Sequence, residues 1–143
     1  MIVKDLKGRP CRLITKPYLI DWDRAVSKPQ KLVKDFLRPY WCRDMVTEEQ
    51  PICHSRQRLD IMNVSQGIVV EVSPESTHGR FNAFMHGSIA GWTKRLKADL
   101  DKERWATEIN DFTFIELTDA EFPILSPELF AERWHVSLIP VTL

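Results

Sequence analysis

Two acidic residues stand inside apolar, β-branched runs where charge is out of place. Asp60 lies in Arg-Gln-Arg-Leu-Asp-Ile-Met-Asn-Val (56–64), and Glu71 in Ile-Val-Val-Glu-Val-Ser (68–73). A carboxylate inside a buried strand is costly unless it is paired or binds a metal. The two runs flank Gln66-Gly67, which reads as a tight β-hairpin turn. A two-residue turn sets Ser65 opposite Ile68, Val64 opposite Val69, Met62 opposite Glu71 and Asp60 opposite Ser73. Asp60, Met62, Val64, Val69, Glu71 and Ser73 then share one face. Asp60 and Glu71 become diagonal neighbours, roughly 7–8 Å apart. At that spacing both carboxylates can lean toward one Mg²⁺, with oxygen ligands at about 2.1 Å. A turn longer by one residue puts them on opposite faces and removes the site. The alternative is a core β-pair with two acids at its solvated end. Arg56 and Arg58 stand just before Asp60, where they suit nucleic-acid phosphates.

The elements that must position this hairpin are legible around it. Ser27-Lys-Pro-Gln30 is a helix start, with Ser27 as N-cap and Gln30 completing a capping box. Leu32, Val33, Phe36, Leu37 and Tyr40 follow as one apolar face, and Pro39 marks the expected end. Met45–Ile52 reads as a strand, with Glu48 and Glu49 solvated. After the hairpin, 74–79 is a loop. From Phe81 to Leu100 a helical stripe follows, weakened at Gly87 and Gly91. Lys94, Arg95, Lys97, Lys102 and Arg104 make that helix basic, and Asp99 borders its stripe. Phe112–Leu117 alternates as a strand, and Ser126 caps a short helix through Trp134. Residues 136–143 form an apolar tail, suited to an edge strand or a partner. Residues 1–24 read as an irregular arm with a short edge strand, since Pro10 and Pro17 interrupt it. Together these make a single α/β domain (25–143) with a mixed central sheet flanked by helices.

Composition sets outer bounds. The chain has 143 residues, 43% hydrophobic and 28% charged, enough for one compact domain. The net charge of zero argues against binding nucleic acid through bulk positive charge and leaves room for a local basic patch. No apolar run approaches the ~20 residues of a membrane helix, and Met1–Pro10 carries no signal-peptide core. Three cysteines, Cys11, Cys42 and Cys53, form no CxxC pair. An odd count suits a reducing compartment.

The order of these parts resembles the PD-(D/E)XK nuclease superfamily. There a first helix carries an acid or Gln, and a hairpin follows with an Asp on one strand and Glu-x-Lys on the next. Here those positions hold Gln30, Asp60 and Glu71-Val72-Ser73. The later half is similar to the branch of very short patch repair endonucleases and small phage endonucleases. In that branch a His follows the strand acid and a downstream helix supplies an Asp. His78, and Asp99 with Lys102 and Trp105, match that pattern. The resemblance spans 21–117 and implies a restriction-endonuclease-like core and cleavage of DNA phosphodiesters. It also implies Mg²⁺ or Mn²⁺ on Asp60 and Glu71, with Gln30, His78 and Asp99 completing the catalytic set. Arg56, Arg58, Lys94 and Lys102 would hold DNA. It further implies a phage-encoded protein in the host cytoplasm or the virion, with virion proteins or a second copy as partners.

Ser73 departs from the pattern, because the superfamily places its water-positioning Lys there. His78 is the expected substitute, since imidazole titrates near neutral pH. The departures also define a second reading, a nuclease fold without chemistry that serves as a virion assembly or DNA-binding component.

Overall fold

The structure is a computed structural model that describes residues 1–74 and 89–141, with 89–95 as backbone only. The first residues form a hairpin, β1 (Ile2–Lys4) paired with β2 (Pro10–Arg12), rather than an irregular arm. Asp5 closes its turn by accepting from the amides of Lys7 and Arg9. A Cys11–Cys53 disulfide fastens the hairpin to the main body, so the expectation of three reduced cysteines does not hold. Helix α1 (Lys28–Trp41) begins at Ser27, whose hydroxyl accepts from Gln30 N at 3.2 Å. The Gln30 side chain does not complete the capping box; it turns to Glu48 instead. Pro39 lies inside the helix rather than ending it. Its missing N–H leaves the carbonyl of exposed Asp35 without that helical donor, and its own carbonyl accepts Val141 N at 2.8 Å.

Four strands form the central sheet: β3 (Val46–Pro51), β4 (Arg58–Asn63), β5 (Ile68–Val72) and β6 (Thr113–Leu117), in that spatial order. The first three are antiparallel, while β5 and β6 run parallel. Helix α2 (Ile89–Arg104) precedes β6 and ends in a π-helical turn, Trp105–Ile109; helix α3 (Pro127–Trp134) follows β6. The result is one α/β domain with a four-stranded mixed sheet and, among the described residues, three α-helices.

Each face of the sheet carries its own core. On one side Val33, Leu37 and Trp41 of α1 pack with Ile61, Val70, Ile115 and Phe130. Val136 and Leu138 of the tail join them, so the tail docks on its own domain. On the other side Val3, Leu13, Met62, Val69 and Trp105 form a second cluster. Trp105 Nε1 donates to Lys4 O at 2.7 Å, and the Asn110 side chain brackets the same residue. The N-terminal hairpin is therefore tied to the C-terminal end of α2.

The β4–β5 turn differs from the two-residue expectation. Asn63, not Ser65, stands opposite Ile68, and Met62 pairs with Val69 rather than Glu71. The cause is local: Asn63 Oδ1 accepts Gln66 N at 2.9 Å, which stabilises a longer loop over 64–67. Gly67 takes the left-handed conformation there (φ 68°) and faces Phe112 so closely that a Cβ would sit 3.0 Å from its ring. The slip is two positions, an even number, so every side chain keeps its expected face.

Candidate active site

The β4–β5 ladder ends at Ile61–Val70. The next residues in register are Asp60 and Glu71, so the two acids stand level rather than diagonal. Their side chains replace the missing ladder bonds. Asp60 N donates to Glu71 Oε2 at 3.1 Å, and Val72 N donates to Asp60 Oδ2 at 2.8 Å. Each carboxylate thus has one oxygen held by the opposite strand. On the far side of β5, the parallel register sets Glu116 beside Glu71.

Helix α2 closes over this row. Lys102 Nζ meets Glu71 Oε1 at 3.0 Å. The contact is an ion pair; among the described residues Oε1 accepts no well-angled hydrogen bond. A cavity of about 120 Å³ opens at this point, lined by Asp60, Glu71, Val72, Ser73, Asp99, Lys102, Phe114 and Glu116.

Electrostatics follow from that crowding. Glu71 is only 5% exposed. Burial, and then the charge of Asp60 beside it, push its carboxyl well above the ordinary carboxylate range. Burial pulls the Lys102 ammonium down, but Glu71 more than offsets it, so the group ends raised. Glu49, opposite Asp60 on β3, is raised by burial and then by Asp60. Its left-handed backbone (φ 56°) interrupts the β3 ladder at the level of the acids.

Of the residues singled out in the sequence, Asp60, Glu71, Asp99 and Lys102 line one cavity. Lys102, expected on DNA phosphate, pairs with Glu71. Gln30 comes near from α1, with Nε2 3.5 Å from the Asp60 carbonyl. Arg58 is turned away, over the Tyr18 ring (5.7 Å) and toward Glu49 O (3.2 Å). Arg56 lines a neighbouring depression with Gln57, Lys97 and Asp101. His78 and the Lys94 side chain lie outside the described residues. Glu48 is buried rather than solvated, and Glu49 is half-buried.

Glu116 was missed, although Thr-Phe-Ile-Glu-Leu (113–117) shows an acid alternating into an apolar strand. What the sequence hides is that β6 lies beside β5, which turns that acid into a neighbour of Glu71.

The site fits a hard divalent cation in one respect. Two opposed carboxylates, one held above its usual range by burial and then by the other, are relieved by positive charge between them. Among the described residues, no three His, Cys, Asp or Glu side chains are grouped to hold a metal. A cation here would keep much of its water, as Mg²⁺ commonly does with one or two carboxylates. Comparison with known proteins returned no matching family model, no matching curated protein and no matching solved structure. No helix among the described residues is long and apolar enough to cross a membrane.

Proposed function

We propose that this chain is a metal-dependent DNA endonuclease with a restriction-endonuclease-like core of the PD-(D/E)XK type, encoded by a phage. The observation that carries the reading is the ion pair between Lys102 and Glu71 at the mouth of the Asp60–Glu71 cavity. A lysine that the sequence lacks at position 73 reaches the acidic pair from α2 instead.

Asp60 and Glu71 would hold Mg²⁺ or Mn²⁺, which when bound activates water and stabilises charge on the phosphate. Lys102 favours the ionised form of Glu71 and presents an ammonium to the scissile phosphate. Asp99 lines the same cavity, where a carboxylate can orient water. Lys97 and Arg56 flank the adjacent depression and would follow the phosphate backbone.

The second reading keeps the fold and drops the chemistry, leaving a DNA-binding or virion assembly component. It draws on the lack of a grouped three-residue metal set among the described residues. Nicking of supercoiled plasmid separates the two. The endonuclease reading expects cleavage in Mg²⁺ or Mn²⁺ and none in EDTA. DNA binding without cleavage in either metal favours the structural component.

A further inference from the structure

Gln30 brings an amide to the backbone of Asp60, and its neighbours decide which way that amide faces. Nε2 lies 3.0 Å from Glu48 Oε2 and 3.5 Å from the Asp60 carbonyl oxygen. Both partners only accept, so the nitrogen belongs on that side. Glu48 is held in turn by Lys34, one turn along α1 from Gln30. Lys34 is 0% exposed, and its Nζ meets Glu48 Oε2 at 2.8 Å. The same ammonium donates to Asp21 O and Arg24 O, each at 2.6 Å. Two carbonyls and one carboxylate match its three protons, so the group is saturated. The buried ion pair therefore leads by hydrogen bonds from the 21–24 loop to the backbone of Asp60.

We propose that Lys34 and Glu48 are positioning residues for the cation site. They hold the Gln30 NH₂ on Glu48 and the Asp60 carbonyl, and through that carbonyl they fix the backbone that carries the Asp60 carboxylate into the cavity. The proposal rests on the endonuclease reading. Replacing the pair by neutral groups removes the bias. In Lys34→Met/Glu48→Gln, the new amide both donates and accepts, so the Gln30 amide is free to turn. Swapping a buried ion pair for neutral residues is commonly tolerated by the fold.

The test is Mn²⁺ binding, followed by the spin resonance of free Mn²⁺, with thermal melting in parallel. The double variant should melt close to wild type and bind Mn²⁺ about 10–100-fold more weakly, the usual weight of groups that orient ligands. Gln30→Ala should weaken binding similarly. Adding the double change to Gln30→Ala should have no further effect, because the pair acts through Gln30. Unchanged Mn²⁺ affinity in the double variant overturns the proposal. So does further weakening in the Gln30→Ala background, which would mark a general role in the fold. If the double variant does not fold, exchange of the Gln30 side-chain NH₂ protons in wild type decides. Slow exchange is expected, and exchange at the rate of a free amide overturns the proposal. Asp60→Ala separates the two layers. If wild type binds no Mn²⁺, or Asp60→Ala binds as well as wild type, the endonuclease reading falls and this inference with it.

Discussion

The sheet carries a lysine–carboxylate pair on each side, and the two are built for different ends. On the α1 side, Lys34 and Glu48 are sealed in, and every ammonium proton meets an acceptor. On the α2 side, Lys102 and Glu71 open on a cavity and have Asp60 as a second, like-charged neighbour. The first pair is complete without any other group. The second holds more negative charge than its one lysine balances. A saturated pair fixes geometry; an unbalanced one has capacity left for a cation or a proton.

The comparison breaks most sharply at Asp60. Asp60→Ala should abolish plasmid cleavage, because it removes a charged ligand from the cavity. Its effect on folding should be modest, since the change also relieves the crowding around Glu71. Residual metal-dependent cleavage by this variant would show that the site lies elsewhere.

Lys34→Met alone should do the reverse. It leaves Glu48 buried without its cation, at a cost of about 3–5 kcal/mol. For a domain of this size that lowers the melting temperature by roughly 10–20 °C. A melting temperature within a few degrees of wild type would contradict the view of that pair as a closed structural device.

Lys102→Met tests the open pair from its positive side. Cleavage should fall about 10²–10³-fold, the range for loss of one preorganised donor. The pH for half-maximal cleavage should rise, because Glu71 loses the charge that favours its ionised form. A parallel fall at all pH values, with no shift, would assign Lys102 to DNA binding alone.

Glu71→Gln has a subtler and oppositely signed effect. The folded carboxyl is raised above its unfolded value. Between those two values the folded chain binds the proton more tightly, so stability falls as pH rises through that window. The amide removes this penalty. Metal-free Glu71→Gln should melt higher than wild type near pH 8, and the difference should shrink toward pH 4. A lower melting temperature at every pH would mean that the carboxylate is satisfied and not strained.

The sequence carried the acidic pair because strand parity is robust. The loop at 64–67 is longer than its sequence suggests, since nothing in Ser-Gln-Gly announces that Asn63 captures Gln66 N. The slip was nevertheless even, and Asp60 and Glu71 stayed on one face. Lys34 left a trace that could have been followed. It falls on the stripe of Gln30, Val33, Leu37 and Trp41, the buried face of α1, where a lone cation demands a partner. That partner, Glu48, could not be named, because it sits on another element. Glu116 and the Lys102–Glu71 contact were hidden for the same reason: both depend on the order of strands and the path of α2. Local pattern reveals which residues are out of place, and only the tertiary fold reveals what meets them.

The most direct test is the proton count on metal binding. Mn²⁺ is titrated into wild type and Asp60→Asn near neutral pH by calorimetry, in two buffers of different ionisation enthalpy. The account predicts that wild type releases protons on binding, up to about one per Mn²⁺, because the cation shifts the raised Glu71 carboxyl toward its ionised form. The release should diminish as pH rises, and Asp60→Asn should bind far more weakly. Mn²⁺ binding of equal strength in both proteins, with no proton released at any pH, would contradict the claim that the Asp60–Glu71 pair is the cation site.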